Sequence, residues 1–173
     1  SEQKLSEIRA ITQEDEAMIL GAFNDTPAEY PKDQTIVELF EAQVKKTPDR
    51  TAVVFAQESL TYAELNAKAN RLAHRLRAMG VKPNELVAIL AERGTEMIAA
   101  ILGILKAGGA FVPMDPTYPQ ERLQFMLEDC APRAILTYKA KITTQLPVLD
   151  LGDAATWTGA AENPERVNQP TDL

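Results

Sequence analysis

Residues 86–114 read LVAILAERGTEMIAAILGILKAGGAFVPM, and this stretch decides the fold class. Leu86 to Leu90 is apolar at every position, so the strand it predicts needs cover on both faces, as a parallel strand between helical layers does. Glu92 to Gly94 is a polar turn. Thr95 to Ala107 carries apolar residues at helical spacing and is closed by Gly108, and Ala110 to Met114 then returns as a strand. Strand, helix and strand of these lengths make one right-handed crossover of an α/β domain. The apolar run Met97 to Leu105 falls well short of the roughly 20 residues of a membrane-spanning helix. It predicts a buried helix instead.

Downstream the same grammar repeats. Pro119 opens a helix whose inner face is Leu123, Met126 and Leu127, Ala134 to Thr137 follows as a strand, and Val148 to Leu151 is a last short one. Trp157 to Pro170 is polar and punctuated by proline, with no closing element before Leu173. Upstream, Thr61 and Glu64 form a capping box ahead of a helix lined by Leu65, Ala69, Leu72, Ala73, Leu76 and Met79 and stopped by Gly80. Thr51 to Phe55 and the run from Leu60 predict a hairpin turning at Gln57 to Ser59. Thr35 and Glu38 cap an earlier helix, with Ile36, Leu39, Phe40 and Val44 expected on its buried face before Pro48. Residues 1–33, with Pro27 and Pro31, read as an interdomain linker holding one short helix, Gln13 to Leu20, capped by Thr12 and ended by Gly21. Residues 34–173 form the domain proper.

The chain carries 25 acidic against 18 basic residues, a net charge of −7, which argues against nucleic acid or an anionic membrane surface as partner. Its single cysteine, Cys130, allows no internal disulfide and cannot alone build a zinc site. Ser1 to Ala10 lacks the basic start and apolar run of a secretory signal. A reducing cytoplasm is the expected compartment.

Candidate chemistry is sparse. Gly94, Gly103, Gly108 and Gly109 fit neither a Walker loop nor a dinucleotide fingerprint. Gly108 and Gly109 are expected to supply a left-handed helix cap, with Lys106 neutralising the helix C-terminus. His74, the only histidine, sits among Lys68, Arg71, Arg75 and Arg77 on a face expected to be solvated. Cys130 follows two acids that raise its thiol pKa, which predicts an inert side chain. Glu121, Glu128 and Asp129 are expected to be surface charges rather than magnesium ligands, and Asp115 a turn residue. No catalytic, cofactor-binding or metal-binding residue is assigned.

Three stretches, taken together, resemble the adenylation domains of nonribosomal peptide synthetases, within the ANL adenylate-forming superfamily. Leu60 to Leu65, LTYAEL, continued by Asn66, Ala69, Asn70, Leu72 and Ala73, resembles the family's first core motif. Leu105 to Pro116, LKAGGAFVPMDP, followed by Tyr118, Pro119, Glu121 and Arg122, is similar to the second. Thr35 to Val54 is similar to the usual domain opening, and Leu5 to Tyr30 to the linker after an upstream condensation domain. The resemblance implies a parallel-rich sheet flanked by helices, the first part of the large N-terminal subdomain. It implies that the intact enzyme uses ATP and Mg²⁺ to make an aminoacyl-adenylate, then loads a phosphopantetheine thiol on a downstream carrier protein.

The family's serine-, threonine- and glycine-rich phosphate loop would follow Thr171 to Leu173, so the resemblance implies a chain cut before it. The expectation is a segment inactive alone that depends on the remainder of the adenylation domain. The motif residues Leu60, Thr61, Tyr62, Glu64, Leu65, Leu105, Lys106, Ala107, Gly108, Gly109, Pro113, Asp115 and Pro116 are expected to be structural. Two other readings stay open: part of an acyl- or aryl-acid ligase, and a non-catalytic interaction module using the basic helix face around Arg71 and Arg75.

Overall fold

The computed structural model describes residues 11–172. The readings placed on residues 1–10, the start of the linker resemblance at Leu5 among them, and on Leu173 lie outside the described residues. The chain divides between Pro31 and Lys32 into two units, each described by itself.

In the first unit α1 spans Gln13–Leu20, and Thr12 exchanges hydrogen bonds with Asp15 in a capping box. Gly21 ends the helix, but at φ −101°, so it is not a left-handed cap. Ile11, Met18, Ile19, Leu20 and Phe23 are all exposed.

The second unit is layered about a four-stranded parallel sheet of order β4-β3-β5-β6, built from β3 (Leu86–Ala91), β4 (Ala110–Met114), β5 (Ala134–Tyr138) and β6 (Val148–Asp150). Side chains alternate along β3. Val87 and Ile89 enter a core with Leu72, Leu76, Ala100 and Ile104 of α3 (Tyr62–Ala78) and α4 (Thr95–Ala107). Ala88 and Leu90 enter another with Leu123 and Leu127 of α5 (Gln120–Cys130). The all-apolar run at 86–90 is thus explained by helices on both faces. Pro113 sits in β4, an edge strand where its missing N–H is tolerated. Beyond α3 lie the antiparallel hairpin β1 (Thr51–Phe55) and β2 (Glu58–Thr61), and α2 (Ile36–Lys46).

Several expectations are corrected here. The hairpin turns at Ala56–Gln57, with Ala56 at φ 53°, one residue earlier than its Gln57 to Ser59 placement. On α2 the inward residues are Val37, Phe40, Glu41 and Val44, whereas Ile36 and Leu39 are exposed. The helix is rotated from the purely apolar stripe because Glu41 is drawn inward to a buried lysine.

The Thr35 and Thr61 capping boxes both form. Thr61 Oγ1 accepts from the Glu64 amide at 3.2 Å, and the Glu64 carboxylate accepts from the Thr61 amide at 2.8 Å, holding that carboxyl below its usual pKa. Thr61→Ala should cost about 1 kcal/mol, read as a lower urea midpoint with an unchanged slope.

The proline-punctuated tail is an ordered strap rather than a loose end. A short 3-10 helix at Ala154–Trp157 buries Thr156, and Leu151 just before it is buried too. Residues 158–172 then run across α3 and α4 without regular structure. Among the described residues no helix is long and apolar enough to cross a membrane.

Candidate functional site

A cavity of about 650 Å³ opens at the carboxyl ends of β3 and β4, where open parallel sheets commonly place ligand sites. Its floor is apolar, from Ile89, Phe111 and Pro113, and Met97 and Ile101 of α4 wall one side. Glu92 and Arg93 after β3, and Asp115 and Thr117 after β4, form the polar rim. Asp115 Oδ1 accepts from the Thr117 hydroxyl at 2.7 Å and amide at 2.8 Å, the turn expected of it. Those two bonds, and lastly the Arg93 charge, hold its carboxyl below the ordinary aspartate value. The cleft offers a shaped apolar floor and two signs of charge.

The motif residues divide between this cleft and a junction on the other side of α4. Pro113, Asp115 and Pro116 line the cleft. Gly108, at φ 103°, is the left-handed cap of α4. Gly109 is needed for closeness instead: a Cβ there would lie 2.9 Å from the Glu85 carbonyl, which accepts the Ala110 amide. Leu65 and Ala107 are core residues, Leu60 packs beside Leu65, and the Tyr62 ring lies 6.1 Å from that of Phe40. The Leu105 carbonyl accepts from Asn168 of the strap.

Lys106 does not neutralise the C-terminus of α4. Its side chain is fully buried, ion-paired with Glu41, and lies over the Phe40 ring. Arg77 takes the capping role, donating to the Lys106 carbonyl at 2.7 Å and the Ala107 carbonyl at 3.2 Å.

The basic face of α3 is likewise not simply solvated. Lys68 pairs with Glu96 at 3.0 Å and stacks on Trp157, Arg75 donates to the Ala155 carbonyl, and His74 Nε2 lies 3.0 Å from the Glu162 carbonyl. The backbone carbonyls of Ala155 and Glu162 thus engage two of the side chains that the sequence placed in water.

Cys130 is partly buried, and burial first, then Asp129, raises its thiol pKa. Among the described residues no three His, Cys, Asp or Glu side chains converge on a metal position, and Glu121, Glu128 and Asp129 form no such group.

Sequence reasoning gave no contact role to Glu41, Asn70, Gly103 or Asn163. One signal was available: Lys106 continues the apolar stripe Ala99, Leu102, Gly103 at helical spacing, so it had to be buried and paired.

With this geometry in view, comparison with known proteins is decisive. The model of the AMP-binding enzyme family matches residues 40–170, and the chain belongs to that family. Within it, the chain is the N-terminal part of a nonribosomal peptide synthetase adenylation domain. It is 50% identical to tyrocidine synthase 3 of Brevibacillus parabrevis over 98% of its length, and 51% identical to gramicidin S synthase 2 of Brevibacillus brevis over 98%. It spans 3% and 4% of those two proteins.

A crystallised nonribosomal peptide synthetase, FmoA3, superposes with a TM-score of 0.80 at 34% identity over 93% of this chain and 18% of that one. One of its structures is an α-methyl-L-serine-AMP-bound form. The N-terminal subdomain of NpsA from Klebsiella oxytoca, at 21% identity over 80% of this chain and 36% of that one, shares the fold with a TM-score of 0.69.

Proposed function

We propose that this chain is the scaffold-forming first part of an amino-acid-activating domain that, when whole, joins an amino-acid carboxylate to the α-phosphate of ATP, releases pyrophosphate, and passes the aminoacyl group to a phosphopantetheine thiol on a carrier protein. The observation that carries the reading is near-complete coverage of the chain at about half identity by peptide synthases. A relative crystallised in an α-methyl-L-serine-AMP-bound form supports the same chemistry. Residues 1–33 would join an upstream condensation domain, and residues 34–173 would begin the adenylation domain. Under this reading the thirteen motif residues have structural roles, and the cleft at Asp115 becomes a wall that later parts of the domain complete. Mg²⁺ would be held by those later parts or by the nucleotide, since no described cluster here fits it.

Relatives that are peptide synthases at this identity favour the reading over an acyl- or aryl-acid ligase. The interaction-module reading weakens because Arg75 and His74 are engaged by the chain's own Ala155 and Glu162 carbonyls.

Amino-acid-dependent exchange of pyrophosphate into ATP tests the proposal. Residues 1–173 alone should give none, and a polypeptide extended through the remaining domain should give exchange with one or a few amino acids. Exchange by the short chain would overturn the scaffold role, and silence of the long one with every amino acid would overturn the proposed activity.

A further inference from the structure

The strap from 158 to 172 poses a physical problem, because none of its residues is buried and it has no regular structure. Apolar burial, limited to half-buried Ala161 and Pro164 and to Val167 against Gly108, is a weak hold on it. Polar contacts supply the rest.

They converge on one atom. The Asn163 side-chain oxygen accepts from Asn70 Nδ2 at 2.9 Å, Asn66 Nδ2 at 3.0 Å and Lys106 Nζ at 3.3 Å. Asn66 and Asn70 continue the first motif along α3, and Lys106 belongs to the second on α4. Asn70 is fully buried and also donates to the Ala161 carbonyl at 2.6 Å.

We infer that Asn163 is a positioning residue: its amide oxygen fastens the strap to both motif helices at once, and the strap's path along α3 and α4 depends on that acceptor. An amide oxygen has two lone pairs, so three donors, one of them a cation, saturate it. Lifting the strap would strip a partner from a buried amide and from a buried ammonium together, which is costly for both. Further along, Asn168 donates to the Leu105 carbonyl at 2.5 Å, Arg166 pairs with Glu38, and Asn84 donates to Asp172 at 3.0 Å. These contacts follow the path that Asn163 sets.

The test is native-state trypsin cleavage of the full chain, comparing the Arg166–Val167 bond in the strap with the bond after Lys106 in the core of α4. Asn163→Leu keeps the branching at Cγ and removes the acceptor, while Asn163→Asp preserves the acceptor. Because position 163 is exposed, both variants should fold. The leucine variant should be cut at Arg166 about tenfold faster than wild type with cleavage at Lys106 unchanged, and the aspartate variant should return close to the wild-type rate. Wild-type cleavage in the leucine variant would overturn the inference. So would equal acceleration at both bonds, or an aspartate variant as fast as the leucine one. None of these readouts depends on enzymatic activity.

Discussion

Glu41→Gln is expected to destabilise the chain by roughly 3–5 kcal/mol at neutral pH, while Lys106→Met costs about 1 kcal/mol or less. The two residues form one ion pair, yet they are not equivalent. The Lys106 side chain has no exposure, whereas that of Glu41 is 23% exposed. Removing the glutamate strands a buried cation. Removing the lysine leaves a carboxylate that can turn to water, and methionine fills much of the vacated stem with apolar atoms.

The pH dependence separates the two variants further. Burial pushes the Lys106 ammonium below its ordinary value of 10.5, and the Glu41 hydrogen bond and charge oppose the shift. Between the lowered folded value and the ordinary one, the unfolded chain binds more protons, so stability rises with pH across that window. Glu41→Gln removes the opposing terms and extends the window downward. Its deficit should therefore shrink as pH is raised from 7 toward about 10, while Lys106→Met shows no such recovery. Urea midpoints at the two pH values measure this. A glutamine variant no less stable than the methionine variant would sink the account.

The same pair shows where the sequence could and could not be read. Helices and strands at 61–78, 86–91, 95–107 and 134–138 were legible because their apolar spacing and caps were local and agreed with one another. Motif wording carried the family. What stayed hidden was pairing between distant polar residues: Glu41 with Lys106, Arg77 with the end of α4, His74 with Glu162, and Asn163 with Asn70. Each partner looks like an ordinary surface residue within its own ten-residue window. A polar residue on an apolar stripe announces that it needs a partner without saying which, and the strap supplied two of these four from about 90 residues away.

The cleft was invisible for a different reason. It is made by the ends of two strands meeting in register, Ile89 beside Pro113 and Leu90 beside Met114. Only its Asp115 turn was written locally. With Phe111 half-exposed on the edge strand, the apolar floor extends to an edge of the sheet that pairs with no other described strand. Such an edge is a surface other polypeptide can cover.

Gly103→Val should cost roughly 3 kcal/mol, and the reason lies in how closely the two motif helices pack. A Cβ at position 103 would sit 2.8 Å from Leu72 Cδ2 and 3.0 Å from both its Cβ and Cγ. Rotating the Leu72 side chain can relieve the first contact, but not the one with its Cβ, which moves only if α3 moves. The intrinsic gain of replacing a mid-helix glycine is below about 1 kcal/mol, smaller than the usual 1–3 kcal/mol of overpacking, so strain decides the sign. Leu72→Ala alone should lose about 2–5 kcal/mol, because Leu72 is wholly buried in the core shared by α3, α4 and β3. In the double variant the new valine occupies space the leucine vacated. The combined loss should therefore fall short of the sum of the single losses by at least about 1 kcal/mol. Unfolding of the two single variants and the double variant measures that coupling. Simple additivity would mean that the contact with the Cβ of residue 72, which alanine keeps, sets the strain, and that the Leu72 Cγ and Cδ2 atoms do not.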